Sequence, residues 1–557
     1  MAITQNDLEI LKSEIMADTP DGGGSPTAIA VVDGVSNNLF PDVSDIDRLE
    51  GRVRLRKVFP SVNAANTDLL QSARLVITEV PSNPNASVFM FKGTEFADRR
   101  SDAVDYMNSY TYLLEPYRAY YRGTNYKASR VLKYNDQGDT PLPNVGDVIN
   151  ITQLMQKKNP QTIPLGDVLY SQYVKVISVT SEVPDPAYSV REVTLGIKEP
   201  LLYDFGGVAD TPSLGGQAFD FFTTRRNPDL KFYGATKLGA VADFGDQQIT
   251  LSSNKLRITP SGASLDSEKV GVDLNRMPED GLVDLAEIGD LATITELKTM
   301  ALPTNTPNDT FDLGFERLSD VSVVDANGLK VDTDDLNIDL DAGTLQLNGM
   351  FDMSFYTAPL TAKYRIMDLA KVESVSGDTV NLLNPITHDY STAAVFSTML
   401  LAGDMQARAF NVFSQKSWGN GGFSDTLIGD GATSQLQVTN NPIVVTNRDS
   451  IEERWALVFT SSTSFRIIGE TVGEIGTGTI NSDTKPLNPM TSQPYFEIPQ
   501  LAWGGGWSAN NVVRFNTLAA KYPVWIGNAI QQHQGSSKDN YDFTIGYHAN
   551  IDRDRGE

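Results

Sequence analysis

Cysteine is absent from the 557 residues, and histidine occurs three times, at His388, His533 and His548. The side chains that most often act as nucleophile, proton shuttle or soft metal ligand near neutral pH are therefore scarce. His533 and His548 stand 15 residues apart and His388 lies in another region, which is not a zinc-ligand spacing. Carboxylate chemistry remains. Asp332, Asp334, Asp335, Asn337, Asp339 and Asp341 make the densest acidic run, and calcium takes several oxygen ligands of this kind. The central glycine of an EF-hand loop is missing, however, and Val331, Leu336, Ile338 and Leu340 interrupt the acids. A solvated strand face accounts for that alternation without an ion. Asp425, Glu470, Glu474 and Glu497 are candidates for the facing carboxylates of a glycosidase, but among 70 Asp and Glu residues spacing alone selects no pair. No phosphate-loop, dinucleotide or nucleophile-elbow motif occurs, and the glycine clusters Gly22–Gly24, Gly429–Gly431 and Gly504–Gly506 read as turns. No catalytic, cofactor-binding or metal-binding residue is assigned, no cofactor is expected, and the chain is read as a non-enzyme.

Two features concern surfaces instead. Eight of the twenty tyrosines lie between Tyr106 and Tyr134, interleaved with Arg118, Arg122, Lys127 and Arg130. Tyrosine and arginine are favoured at interfaces, where a ring supplies area and a polar tip supplies hydrogen bonds. Tyr106, Tyr110, Tyr117, Tyr120, Tyr121, Arg118 and Arg122 are thus interface candidates, and a tyrosine-rich local core with basic residues outside it is the alternative. The second feature is the block from Trp418 onward, where all five tryptophans fall among glycines. Glycine permits close backbone approach while tryptophan fills space, which suits a compact β-domain core. Trp503 and Trp507, flanking Gly504–Gly506, could instead form an exposed platform for a sugar ring.

The elements that would carry these residues are mostly strands. Ile29–Asp33, Arg52–Phe59, Ala73–Val80, Ser87–Phe91, Gly146–Ile151 and Tyr173–Thr180 are runs of β-branched and aromatic residues bounded by turn formers. Asn337–Asn348 places Ile338 and Leu340 against Leu345 and Leu347 across D-A-G, a hairpin signature. Helical spacing is rare. Leu8, Leu11 and Ile15 predict a helix over Thr4–Met16, making an amino-terminal helical arm before the Gly-rich Asp21–Pro26, and a second helix is predicted from near Thr94 toward Leu114. The segment from Leu282 to Met300 fits either short helical turns or a strand pair.

With 40% hydrophobic and 21% charged residues the chain can bury a core, and its length suits about three to five domains. The fold class expected is mostly β and multidomain, with sandwich-like or barrel-like domains and a few short helices. The segments drawn are 1–26 (arm and linker), 27–205 (β-rich with a Tyr-rich helical insertion), 206–310 (connector), 311–402 (β) and 403–557 (Trp/Gly-rich β). A net charge of −25 opposes nucleic-acid binding. No basic leader precedes an apolar run and no apolar stretch is long enough to span a bilayer as a helix.

The phrases ITQNDLEILKSE from Ile3, GRVRLRKVF from Gly51, ERWALVFTSSTSFRIIGETVGEIGTG from Glu453 and WGGGWSANNVVRFNT from Trp503 resemble a family of large virion structural proteins of tailed bacteriophages and related prophages. The resemblance covers both ends and, more faintly, Asp339–Tyr364. It carries no catalytic residue. It implies a particle component of the tail tip or baseplate, assembled in the host cytoplasm as a symmetric ring or trimer and contacting other tail proteins. A tail protein that binds a host-surface glycan and a head-to-tail neck connector are the alternatives. By linker composition Met1–Asp18 is either a docking arm or a frayed terminus.

Overall fold

The runs of alternating and β-branched residues do become strands, 33 of them among the described residues, against two short α-helices. The structure is a computed structural model. It describes residues 3–550 apart from 33, 36, 137–140, 146, 155–167, 184–189, 199, 207–218, 228, 262–280, 490 and 537–539. Within its elements the side chains at 112–118, 120, 153–154, 168–171, 219–226 and 420 fall outside the description.

A twelve-stranded antiparallel sheet organises the chain. Its order is Gln248–Thr250, Thr379–Leu382, Thr361–Ser376, Leu291–Ala301, Val395–Thr398, Tyr233–Lys237, Ala86–Lys92, Val524–Ile530, Arg52–Val62, Leu8–Ile15 and Gly23–Ala30, and Leu318–Val324 also pairs with Thr361–Ser376. Each of the five sequence segments contributes strands to it. Near its centre Val524–Ile530 lies between Arg52–Val62 and Ala86–Lys92, so residues more than 400 apart in sequence are neighbours. Period-two alternation explains how one strand serves two cores. Val524 and Ile526 point to a cluster with Leu75, Ile77 and Leu400, from the sheet Leu400–Met405, Leu70–Glu79 and Thr544–Asn550 that covers one face. Trp525 and Ala529 point the other way, into the largest core, with Phe89, Phe91, Ile294 and Phe396.

Two excursions leave this sheet and return to it. After the helix Arg100–Asn108 the chain builds a closed six-stranded barrel from Thr111–Tyr121, Val131–Asp136, Val148–Leu154, Val168–Glu182, Arg191–Ile197 and Phe219–Arg226, then rejoins at Tyr233–Lys237. Its filling is Tyr121, Leu132, Tyr134, Ile149, Ile151, Val176, Leu195 and Phe205 among others. Lys175 and Lys198 of the barrel meet Asp284 beyond it, at 3.3 and 2.9 Å, where Lys255 also pairs at 2.7 Å. After Leu400–Met405 the chain forms a five-stranded sheet, Arg408–Gln415, Val512–Leu518, Glu453–Phe459, Ser464–Gly469 and Gly473–Thr479, and rejoins at Val524–Ile530.

The mostly-β expectation with sandwich-like and barrel-like parts holds. The amino-terminal helical arm does not. Only Gln5–Asp7 makes a turn of 3-10 helix, and Leu8–Ile15 is a strand whose residues Leu8 to Lys12 pair one for one with Val62 to Val58. Leu8, Leu11 and Ile15 have helical spacing, but so short a helix is marginal alone. In the strand Leu11 and Ser13 are buried while Ile10 packs against the core on the other face. Burial on both faces, plus a ladder of backbone hydrogen bonds, outweighs the weak local preference. The second helix is also shorter than predicted: it occupies Arg100–Asn108, and Thr111 already begins a barrel strand. The first strand ends at Ala30 rather than running to Asp33, which lies outside the described residues, as does Gly146. The open segment from Leu282 to Met300 resolves into Leu282–Asp284 and Leu291–Ala301, which pair with other strands and not with each other. The hairpin forms as read, with Leu336 opposite Leu347 and Ile338 opposite Leu345. Among the described residues no helix is long and apolar enough to cross a membrane.

Candidate functional site

The tyrosine-rich segment crosses from the main sheet into the barrel, and its side chains divide between the two cores. Tyr110 is buried with its ring 5.4 Å from that of Phe232. Tyr106, on the helix Arg100–Asn108, is half-buried and donates to the Asp229 carbonyl at 2.8 Å. Tyr121 lies inside the barrel, packs on Phe205 at 5.9 Å and donates to the Thr152 carbonyl at 2.8 Å. Arg122 is exposed and ion-paired with Glu192. Tyr117, Arg118 and Tyr120 belong to the strand Thr111–Tyr121, but their side chains lie outside the described residues. Of the described tyrosines in the run, Tyr126 alone is largely exposed.

Trp503 and Trp507 are brought together, facing inward. Trp507 is 3% exposed and stacks on Phe459 with ring centres 4.5 Å apart and planes 7° from parallel. Trp503 packs at 4.8 Å on Phe465 and at 6.0 Å on Trp507. One face of Trp507 is thus taken by Phe459 and its edge by Trp503, which leaves no open platform for a sugar ring.

Each carboxylate considered for hydrolysis is held by a cation. Arg454 bridges Asp425 at 3.0 Å and Glu470 at 2.9 Å, Arg466 holds Glu474 at 3.0 Å, and Lys485 holds Glu497 at 2.7 Å. Arg454 and Asn516 keep Asp425 below the ordinary carboxylate range, and Arg466 does so for Glu474. A general acid needs the opposite shift. In the acidic run Asp332 accepts from the Asp334 N–H, and Asp339 accepts from those of Asp341 and Ala342, so these carboxylates brace turns. Among the described residues no group of three or more His, Asp or Glu is arranged to hold a metal ion.

The histidines are separate. His388 is buried, with Nδ1 at 3.2 Å from Asp368 and Nε2 at 3.2 Å from the Glu316 carbonyl, and the Asp368 bond raises its affinity for a proton. His533 contacts the Tyr541 hydroxyl at 2.9 Å. His548 sits on Thr544–Asn550 opposite Arg74 with its Nε2 enclosed and unpartnered, and burial pushes its pKa down to about 4.

One concavity was not anticipated. A groove of about 640 Å³ runs between the edge strand Gly473–Thr479 and residues 482–486. Thr460, Ser464, Thr477, Thr479, Ser482 and Thr484 line it together with the charged Asp483 and Lys485, over Phe465, Ile467 and Ile475. Thr484 is 4% exposed and its Oγ1 has no hydrogen-bond partner. Hydroxyl residues scattered over 25 positions gave no motif to find; only the antiparallel pairing collects them. Compared with family models, with curated proteins and with solved structures, the chain gives no match in any of the three.

Proposed function

We propose that this chain is a non-enzymatic structural subunit of a tailed-bacteriophage virion, stationed in the tail tip or baseplate and assembled in several symmetry-related copies with other tail proteins. The observation that carries the assembly part is the outer edge of the large sheet, bridged to residues 98–100 at residues 22–24 and open beyond them among the described residues. Gly23–Ala30 is the terminal strand, with one strand partner among the described residues, and Ile29 stands 61% exposed on it, followed by Val32 at 56% and Val35 at 55%. Unpaired backbone groups beside exposed apolar side chains favour strand addition from another chain. The virion part rests on the terminal sequence phrases. The ion pairing of the carboxylates considered for hydrolysis supports a scaffold over a hydrolase. Labelling the chain after Glu557 and imaging purified particles by electron microscopy tests the station: label at the distal end of the tail is expected, and label at the neck would recast the chain as a head-to-tail connector.

The second reading, a host-surface glycan-binding subunit, is favoured by the hydroxyl-lined groove and not by the two tryptophans. Its volume falls in the range of small-ligand sites. Thr477→Val keeps the shape and removes the hydroxyl of an exposed lining residue. On this reading the wild-type chain binds neutral oligosaccharides in a glycan array and the variant loses up to about tenfold in affinity, the worth of one hydrogen bond; equal binding by both would remove the groove from consideration.

A further inference from the structure

Lys57 and Asp98 meet in the interior with side chains 0% and 1% exposed. Lys57 stands on the central strand Arg52–Val62, and Asp98 lies between Ala86–Lys92 and the helix Arg100–Asn108. Nζ of Lys57 touches Oδ1 of Asp98 as an ion pair. It also donates to the carbonyl of Phe96 at 2.8 Å and to those of Glu95 and Asp98 at 3.3 Å. The other carboxylate oxygen, Oδ2, is fixed by three donors: Thr94 N at 2.9 Å, Thr94 Oγ1 at 3.0 Å and Trp525 Nε1 at 3.2 Å. Aromatic rings close the space, with Nζ 5.1 Å from the Phe59 centroid and Phe96 a further 5.4 Å from Phe59.

An ion pair sealed in this way bears the desolvation cost of both charges. Burial is the dominant influence on Lys57 and lowers its affinity for a proton, against the charge of Asp98. Moving one proton from ammonium to carboxylate leaves a neutral amine beside a neutral acid, which removes that cost and leaves a nucleophile next to an acyl carbon.

We propose that Lys57 and Asp98 are joined by an intramolecular isopeptide bond. The Nζ lone pair attacks Cγ of Asp98, a C–N bond forms and the Cγ–Oδ1 bond breaks. Oδ1 departs as water, carrying the acid proton and one amine hydrogen. The sum is one ammonium plus one carboxylate giving one amide and one water, with no oxidant or cofactor. Oδ2 becomes the amide oxygen, and Thr94 N–H, Thr94 hydroxyl and the Trp525 indole receive the charge that develops on it, as an oxyanion hole does. The hydrogen left on Nζ points to the Phe96 carbonyl. The fold supplies the driving force by holding the two groups in contact, which replaces a bimolecular encounter, and by expelling the water. The bond ties together residues 41 apart in a chain that has no cysteine for a disulfide.

The intact mass of the purified full-length chain decides this, because the bond removes the mass of one water. Trypsin, which cleaves unmodified lysine, would then leave a branched peptide joining 57–74 to 93–99, with no cut after Lys57. Lys57→Arg and Asp98→Ala are each expected to restore the full mass. A wild-type chain of full sequence mass that is cut after Lys57 overturns the proposal, whatever the variants do. So does a mass short by one water in which 58–74 and 93–99 are released as separate linear peptides.

Discussion

His548 shows how one side chain can give the fold a pH limit without taking part in chemistry. Its ring is partly exposed, but Nε2 is enclosed and faces the cations Arg74 and Arg365, so protonation is opposed first by burial and then by like charge. The folded-state pKa of about 4 lies below the ordinary value of 6.5. Between those values the unfolded chain binds more protons than the folded one, so the contribution of His548 is fully present above pH 6.5 and is lost as pH falls toward 4. The slope is at most about 1.4 kcal/mol per pH unit, reduced by whatever water reaches the ring. Urea denaturation of wild type and His548→Leu from neutral to acid pH measures it. The wild-type stability minus that of the variant should fall through this window, and a constant difference would show that the ring is hydrated. His388 has the opposite sign: its bond to Asp368 favours the charged ring, so its contribution fades as pH rises above the ordinary histidine range.

Elements are fixed here by pairings that a local reading cannot see. Gly527 pairs directly with Phe89 across Val524–Ile530 and Ala86–Lys92, and the Phe89 ring lies over it where a Cβ would stand. Gly527→Ala forces that ring, which also packs on Phe232 at 5.6 Å, out of its place. A loss of about 1–3 kcal/mol is expected, as for an overpacked core, read as a lower denaturation midpoint with an unchanged slope. The same geometry explains what was legible in the sequence. The hairpin from Leu336 to Leu347 could be read because its alternation and its turn are adjacent. The amino-terminal strand could not, because three apolar residues at helical spacing also serve a strand that is buried on both faces, and its partner starts 37 residues later. GRVRLRKVF was read as a strand, but its charges gave no warning of burial: Arg54 and Arg56 are 3% exposed, each with its guanidinium about 5 Å over the Phe40 ring, and Lys57 is 0% exposed. The sequence singled out Trp503 and Trp507, yet whether such rings form a platform or a core depends on Phe459 and Phe465, more than 35 residues away. Sites assembled by long-range register, such as the Lys57–Asp98 contact and the hydroxyl groove, have no local signature.

For the whole molecule, the decisive asymmetry is between the two edges of the large sheet. At one end Gln248–Thr250 is three residues long, too short to template much pairing. At the other, Gly23–Ala30 runs for eight residues; Gly23 bridges to Arg99 and Pro26 has no N–H to offer, so the open part is its end, where Ile29 stands exposed. Net charge offers no alternative means of association between copies, since 25 excess negative charges repel one another beyond about 10 Å only weakly at physiological salt but never attract. Under the assembly proposed above, apolar contact and strand pairing are the means the edge strand offers. Ile29→Lys places a charge at the exposed end of that edge while leaving its pairing with Leu8–Ile15, and so the fold, intact. Light scattering on the purified chain should find wild type forming oligomers as concentration rises and Ile29→Lys remaining a monomer, with matching far-ultraviolet circular dichroism. Identical assembly by the two would show that copies meet elsewhere, and an unfolded variant would show that the edge is held by contacts within the chain; either result would remove the edge strand as the ground for a symmetric subunit.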